Sequence, residues 1–348
     1  MKVVVVGGGV IGLSVAWRLA ARHDVTLIDP TPARGASWVA GGMLAPVTEA
    51  WPGEEDLLDL GSDSLDRWPG FAADLGIELH TRGTIVAAVD AADAAQLDVL
   101  AGFLAQRGRE VDGLTGRALR RLEPTIGPSV RSGLHVPGDL AVDNRELLRH
   151  LSSSARDAGV EFVRESVRAV DQLDCDVTVI AAGAWSGALH PALTSAVRPV
   201  KGEILRLRAR PNALPPPTHT VRALVESRPV YLVPRAGDEL VVGATQYEAG
   251  FDDEVTVGGV RDLLTYAERV VPGIAEYGLT ECAAGLRAGS RDNLPLVGWL
   301  EPGVLVATGH HRNGLLLAPI TADAVCALVA GEPGMAAIDP ARLWQRTT

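Results

Sequence analysis

The apolar residues near the N-terminus form two short runs on either side of a helical pattern. Val3–Val6 are four consecutive valines, which is typical of a strand buried on both faces. A helical spacing of apolar positions follows at Leu13, Ala16, Trp17, Leu19 and Ala20. A second strand-like run, VTLID, ends at Asp29. This order predicts a strand, a helix and a second strand.

Three glycines occupy the turn between the first predicted strand and the helix. In a G-x-G-x-x-G motif, Gly7 makes the turn, Gly9 lets the backbone approach a pyrophosphate, and Gly12 allows the helix to pack closely on the strand. The N-terminus of the helix adds free N–H donors for an anion. Asp29 can accept a hydrogen bond from a ribose hydroxyl, and an acid at this position disfavours a 2′-phosphate. The motif therefore predicts a site for NAD or FAD rather than NADP.

Two later segments also combine a strand pattern with glycine at its end. Residues 176–186, DVTVIAAGAWS, and residues 303–314, GVLVATGHHRNG, are expected to join the sheet of Val3–Val6. The carboxyl ends of such strands meet at one rim of the sheet, where ligands bind. A helix is expected to begin near residues 316–319 and to end at Gly331, with its positive N-terminal end at this rim.

The segment that follows Asp29 favours FAD over NAD. A nicotinamide-binding domain would continue directly into a third strand, whereas PTPARGASWVAGGMLAP is a run of small residues without a clear period. Gly41 and Gly42 within this segment would let the backbone lie against a flat ring system.

Composition and charge narrow the class of protein. The 348 residues, 47% of them hydrophobic, are enough for two domains. The net charge of −11 argues against a general nucleic-acid binder, and no long uncharged apolar run predicts a membrane span. The three cysteines lie far apart without a CxxC pair, so no disulfide framework or cysteine zinc site is expected. We expect a cytoplasmic homo-oligomer without nucleic-acid or membrane partners.

Motifs spread over nearly the whole chain resemble one family. They are VVGGGVIGLSVAWRLA, GASWVAGGMLAP, VIAAGAWSG, PVKGEIL, VYLVPR, VVGAT, GLRAGSRDNLPLVG and GHHRNGLLLAP. The chain resembles the FAD-dependent D-amino-acid oxidase superfamily and, within it, the glycine oxidases of thiamine biosynthesis. An α/β fold is expected, with a discontinuous Rossmann-like FAD-binding domain (1–75, 141–197 and 288–348). A substrate domain (76–140 and 198–287) would contain a mixed, largely antiparallel β-sheet.

The resemblance also implies which residues bind FAD. These are the glycine motif, the acid, the small-residue segment, two isolated positions and a C-terminal loop: Gly7, Gly9, Val10, Ile11, Gly12, Asp29, Pro30, Ala36, Ser37, Gly41, Gly42, Met43, Val167, Gly183, His310, His311, Arg312, Asn313, Gly314, Leu315 and Leu316. Relatives with covalent flavin carry cysteine just before the RAGSRD-type segment, where this chain has Gly285. Non-covalent binding is therefore expected.

The reaction implied by the resemblance is hydride transfer from the α-carbon of a small amino acid to the flavin. The imine would hydrolyse to glyoxylate or be used for the thiamine thiazole, and dioxygen would reoxidise the flavin with release of hydrogen peroxide. Arg287 would hold the substrate carboxylate through two parallel hydrogen bonds. Tyr231 would donate a further bond, and Arg312 would face the substrate with its side chain or its carbonyl. No general base stands out.

Other polar positions are expected to be structural. Lys201 is expected at a strand edge. His310 and His311 are adjacent and cannot share one face, so one should pack against the cofactor and the other should face solvent, without a metal. The acidic segment 51–68 is expected to form a solvated helix, with an active-site lid as the alternative.

Three other functions remain open. An oxidase or dehydrogenase for a D-amino acid, proline, sarcosine or another secondary amine would share these motifs. A non-catalytic flavin-binding redox sensor would not need the carboxylate clamp of Arg287 and Tyr231. An NAD-dependent dehydrogenase is disfavoured by the small-residue segment and by the C-terminal strand that ends in glycine.

Overall fold

The computed structural model describes residues 1–343. Its strands are β1 (Lys2–Val6), β2 (Asp24–Ile28), β3 (Met43–Leu44), β4 (Leu79–His80), β5 (Thr84–Ala88), β6 (Asp112–Thr115), β7 (Ser132–Val136), β8 (Leu140–Val142), β9 (Glu161–Val163), β10 (Val177–Ile180), β11 (Arg198–Arg208), β12 (Thr220–Val225), β13 (Arg228–Arg235), β14 (Glu239–Gly243), β15 (Gly278–Gly289), β16 (Leu296–Glu301) and β17 (Val304–Thr308). Its helices are α1 (Val10–Leu19), α2 (Ala36–Val39), α3 (Glu55–Leu65), α4 (Trp68–Leu75), α5 (Ala91–Gln106), α6 (Gly116–Leu122), α7 (Asn144–Asp157), α8 (Val257–Val270) and α9 (Ala318–Val329).

The first sheet has six strands in the order β16-β17-β10-β1-β2-β9. β10 pairs in parallel with β1 and with β17. The prediction that two distant segments join the sheet of the first strand is therefore confirmed. Because three separate parts of the chain supply its strands, this sheet brings their glycine-bearing ends to one rim.

Helix α1 is almost completely buried because α7 and α9 pack against it as well as the sheet. The expected C-terminal helix is α9, with Pro319 in its first turn. Gly331 follows its end with φ of +83°. The predicted third segment of the FAD-binding domain, 288–348, extends beyond the described residues. Within residues 1–343 no helix is long and apolar enough to cross a membrane.

The second sheet has eight strands in the order β15-β11-β14-β13-β12-β5-β7-β6. Only the β12–β5 pair is parallel, and the other neighbouring pairs are antiparallel. The expectation of a mixed, largely antiparallel sheet is confirmed. A second apolar core lies between this sheet and α8.

The expectation that Lys201 lies at a strand edge is wrong. Lys201 is in β11, which has β15 on one side, and its backbone pairs on the other side with Tyr247. Its ammonium is covered, and it donates to Asp252 (2.5 Å) and to the carbonyl of Glu254 (2.9 Å). A buried ammonium requires such partners, so Lys201 fastens the segment after β14 to the sheet.

The acidic segment 51–68 contains the expected helix, α3, but only one face of this helix is solvated. Leu57, Leu58 and Leu60 on α3 are buried, and only the opposite face carries exposed carboxylates. The indole N–H of Trp68 donates to the carbonyl of Leu316 (2.9 Å). The segment is therefore docked on the loop that precedes α9.

A buried carboxylate anchors the second sheet. Glu123, at the end of α6, accepts hydrogen bonds from the backbone N–H of Thr218 (2.8 Å) and from its hydroxyl (2.9 Å). It lies 3.0 Å from Nδ1 of His219. Burial opposes ionisation of Glu123, but the bonds from His219, Thr125 and Thr218 outweigh burial and lower its pKa to about 2.

We expect Glu123→Gln to lower the free energy of unfolding by roughly 2–3 kcal/mol at pH 7. The pKa of Glu123 is depressed in the folded state, so its stabilisation is present above about pH 4.5 and is lost as the pH falls toward about 2. Urea unfolding at a series of pH values measures this, with the exposed Glu332→Gln as control. A gap between variant and wild type that does not narrow below pH 4.5 would contradict the assignment.

Candidate active site

The turn between β1 and α1 has the geometry of an anion cradle. Gly7 has φ of +111°, and a side chain there would overlap the carbonyl of Ala181, which directly follows β10. A side chain at Gly12 would overlap the carbonyl of Gly7. The N-cap residue of α1 is Gly9, which has no side chain to cap the helix. The remaining N–H groups of the first turn therefore suit a pyrophosphate.

Asp29 lies just after β2 and binds the glycine turn. Its carboxylate accepts the backbone N–H of Gly8 (2.6 Å) and of Thr31 (2.6 Å). These bonds fix the carboxylate at the rim and leave it further acceptor capacity. Its contact with a ribose stays a prediction.

The small-residue segment forms a wall whose carbonyls are held from behind. The Asn144 amide donates to the carbonyls of Ser37 and Trp38 (2.9 Å each). Arg235 donates to the carbonyl of Gly41 (2.5 Å). The hydroxyl of Ser37 in turn accepts the N–H of Val10 at the start of α1 (3.0 Å). The segment is thus connected to the cradle and to the second sheet.

Arg287 and Tyr231 lie on the second sheet and face this wall. Each side chain lies over a glycine of a neighbouring strand. A side chain at Gly202 in β11 would overlap the Arg287 guanidinium, and a side chain at Gly243 in β14 would overlap the Tyr231 ring. Gly41 gives the ring room on the other side, since a Cβ there would be 2.7 Å from it. Sequence reasoning missed Gly202 and Gly243, although a glycine inside a strand pattern signals a close approach.

The Arg287 guanidinium has no carboxylate partner within 4 Å among residues 1–343. Its hydrogen bond goes to the carbonyl of Thr245 (3.2 Å). Burial lowers the pKa of Arg287, yet an arginine remains charged in proteins. Burial raises the pKa of Tyr231, so its phenol keeps its proton and can donate. This pair of donors suits a carboxylate ligand.

A group of acids and arginines beside this pair was not predicted. Glu49 pairs with Arg222 and lies 3.9 Å from Arg312. Glu54 binds Arg312 (3.2 Å) and accepts a hydrogen bond from Asn293 (2.5 Å). Burial opposes ionisation of Glu49, but Arg222 and Arg312 outweigh it and lower the pKa of Glu49. The side chain of Arg312 thus already has acidic partners. These partners could not be predicted from the sequence, because they lie far from Arg312 along the chain.

Of the two adjacent histidines, His310 is buried and His311 is half-buried. The ring of His310 is 3.0 Å from the hydroxyl of Thr321, and its burial lowers its pKa to about 3. His311 has a left-handed φ of +48°, and both its ring nitrogens are covered without a hydrogen-bond partner. A backbone bridge between Gly289 and His310 holds this loop against β15. No group of three or more potential metal ligands was found within residues 1–343.

Two cavities adjoin at Arg312. The smaller, about 80 Å³, is lined by many of the predicted site residues: Val10, Ala36, Ser37, Tyr231, Arg287, His311, Arg312, Gly314 and Leu315. The larger, about 400 Å³, is lined by the charged group and by an apolar wall that includes Val86, Leu97 and Leu100. Other predicted cofactor residues lie elsewhere along the rim: Gly183 in the turn after β10 and Val167 after β9.

A largely parallel sheet with a glycine-rich turn at its rim, together with a second sheet that carries an arginine without a carboxylate partner, is typical of a dinucleotide-dependent oxidoreductase. The chain belongs to the family of FAD-dependent oxidoreductases, whose model, DAO, matches residues 2–328. The fold class expected from the sequence is therefore confirmed.

Its similarity to individual members of the family extends over nearly the whole chain. It is 35% identical to a putative thiamine biosynthesis oxidoreductase ThiO of Rhizobium etli, covering 96% of this chain and 98% of that protein. It is 33% identical to the glycine oxidase of Geobacillus kaustophilus, covering 94% and 92%. The crystal structure of glycine oxidase from Geobacillus kaustophilus superposes with a TM-score of 0.88 at 31% identity, covering 97% and 98%.

We expect Gly202→Ala to displace the Arg287 guanidinium without unfolding the protein. The atom in conflict is the end of a flexible side chain, which can move at small cost. In Gly133→Ala the new methyl group would overlap the backbone carbonyl of Val86, so that variant should be clearly less stable. Thermal unfolding of both variants and acetate binding to Gly202→Ala measure this. Unchanged acetate binding would mean that Arg287 does not depend on the glycine.

Proposed function

We propose that this protein is an FAD-dependent oxidase of glycine that forms an imine, and from it glyoxylate, with release of hydrogen peroxide, as a step in thiamine biosynthesis. The observation that carries the proposal is Arg287, a guanidinium without a carboxylate partner, beside Tyr231 in a cavity walled by the small-residue segment. The similarity to glycine oxidases and to a ThiO protein supports it.

The residues present fit FAD. The glycine cradle at Gly7, Gly9 and Gly12 would hold the pyrophosphate, and Asp29 would bind the adenosine ribose. The small-residue segment and the loop 310–316 would enclose the flavin ring. When bound, FAD accepts the hydride equivalent, and the protein supplies binding, orientation and electrostatics.

Non-covalent attachment is part of the proposal. Gly285 stands where covalent relatives carry cysteine, and it packs directly on the flavin wall: a Cβ there would be 3.1 Å from Cα of Ala36. No nucleophilic side chain is available at this position.

The chain's own residues would bind and orient the substrate. Arg287 would form two parallel hydrogen bonds to the carboxylate, which fix both its position and its rotation. Tyr231 would donate a third. With the carboxylate fixed, the α-carbon of a small amino acid points in one direction, and this alignment lowers the barrier to hydride loss.

The comparisons and the larger cavity bear on the substrate class. The similarity to glycine oxidases favours glycine over bulkier D-amino acids. A second candidate substrate class is the secondary amines such as sarcosine, because the cavity of about 400 Å³ next to Arg312 offers room for an N-substituent.

We expect glycine to bleach the flavin absorption of the purified holoenzyme in the absence of oxygen, faster than D-alanine or sarcosine. Admission of oxygen should restore the spectrum and release hydrogen peroxide. Stopped-flow absorbance measures the rates. A spectrum that none of the three compounds changes would exclude the oxidase function, and faster bleaching by sarcosine would assign the secondary-amine class.

We expect Arg287→Ala to raise the KM for glycine by about 100-fold or more, because charge-assisted hydrogen bonds are lost, while FAD remains bound. Tyr231→Phe should cost less, about 5- to 10-fold, since one neutral donor is lost. The matched control is Arg208→Ala. Arg208 is an exposed arginine at the end of β11, and it pairs with Glu239. A normal KM in Arg287→Ala would place the carboxylate elsewhere.

A further inference from the structure

The backbone ladder between β11 and the segment that follows β14 changes between two neighbouring pairs. Lys201 and Tyr247 exchange two backbone hydrogen bonds, since the N–H of each donates to the carbonyl of the other (2.8 and 2.9 Å). This is the usual arrangement of a hydrogen-bonded antiparallel pair. At the next such pair, the N–H of Thr245 donates to the carbonyl of Glu203 (3.2 Å). The return bond from Glu203, however, does not go to the carbonyl of Thr245.

The hydroxyl of Thr245 takes the place of its carbonyl in this pair. The N–H of Glu203 donates to Oγ1 of Thr245 (2.9 Å), and the hydroxyl in turn donates to the carboxylate of Glu203 (3.1 Å). A hydroxyl has one donor and two acceptor sites, so both bonds are compatible. The carboxylate is fully buried and also accepts the N–H of Thr256 at the start of α8 (2.8 Å). The direction of the hydroxyl is therefore fixed.

The carbonyl that is left out of the ladder accepts a hydrogen bond from Arg287. Arg287 is on β15, and its side chain crosses the neighbouring strand β11 over Gly202. Beyond that strand, Nη1 of Arg287 donates to the carbonyl of Thr245 (3.2 Å). A guanidinium has five N–H donors, so this bond leaves others for a ligand.

A fixed rotation of the guanidinium matters for the carboxylate clamp. Two parallel hydrogen bonds form only when the plane of the guanidinium and that of the carboxylate coincide. A long side chain without an acceptor would rotate among several orientations, and binding would have to restrict that rotation at a cost in entropy. The carbonyl of Thr245 removes part of this cost because it holds one nitrogen of Arg287 before the ligand arrives.

We propose that Thr245 is a positioning residue for Arg287. Its hydroxyl replaces its carbonyl in the ladder, and the carbonyl thereby becomes free to orient the guanidinium toward a substrate carboxylate. This inference rests on the proposed function, in which Arg287 binds that carboxylate. It gives a role to the VVGAT motif at residues 241–245, which the cofactor and substrate contacts left without one.

The test removes the hydroxyl and keeps the shape of the side chain. In Thr245→Val the N–H of Glu203 loses its acceptor and draws the carbonyl of residue 245 back into the ladder, away from Arg287. We expect the Kd for acetate, read from the flavin spectrum of the holoenzyme, and the KM for glycine each to rise about 5- to 10-fold, while kcat changes less than about twofold. Thr245→Ser keeps the hydroxyl and should stay within about twofold of wild type.

Two further variants complete the comparison. Thr245 is half-buried, so its substitution should not prevent folding, and Thr245→Ala should repeat the effect of Thr245→Val without a second methyl group to accommodate. The matched control is Thr280→Val on β15. It removes a hydroxyl that donates to the carbonyl of Arg206 (2.9 Å), and it should leave acetate and glycine binding within about twofold of wild type.

The other outcomes overturn the inference. An unchanged acetate Kd in Thr245→Val and Thr245→Ala would mean that Arg287 does not depend on the hydroxyl. An equal loss in Thr245→Ser or in Thr280→Val would indicate a general effect on the sheet. Loss of FAD affinity with a normal KM per bound flavin would place the effect at the cofactor. Failure of the proposed function looks different, because the wild-type holoenzyme would then neither bind acetate nor be reduced by glycine.

Discussion

The Arg287 guanidinium lies across Gly202 of the neighbouring strand, and the proposed chemistry depends on this contact. The space exists only because β11 has a glycine at that position. A long cation placed flat on a sheet is shielded from water, and this raises the benefit of any anion that binds to it. The sheet thus provides a rigid, desolvated binding point for a carboxylate, and Tyr231 is placed beside it by the same device at Gly243.

Arg287 is available to a ligand because the neighbouring arginines are already paired with acids. Arg222 is paired with Glu49, and Arg312 with Glu54. These pairs satisfy two of the three arginines near the cavity and also fasten the segment 49–54 over it. Ion pairs that are partly shielded hold geometry more than they add stability. Their effect here is to keep the acids away from Arg287.

The small-residue segment and the pair Arg287 and Tyr231 come from different parts of the fold, and buried polar contacts connect these parts. Asn144 and Arg235 hold the carbonyls of the small-residue segment, while Trp68 holds the carbonyl of Leu316 from the opposite side. Residues that bind a ligand keep their geometry only when other residues, which do not touch the ligand, hold them in place.

The sequence by itself determined the first sheet, the glycine cradle and the family, because strand periodicity, glycine spacing and the family motifs are local patterns that survive without three-dimensional information. It also identified Arg287 and Tyr231 through resemblance, although their roles and the domain boundaries stay predictions. Tertiary structure alone decided that Lys201 is interior, that His310 is buried, and that Arg312 already has partners. Each of these depends on which residue the folded chain places opposite the side chain, and hydrophobic periodicity carries no information about such partners.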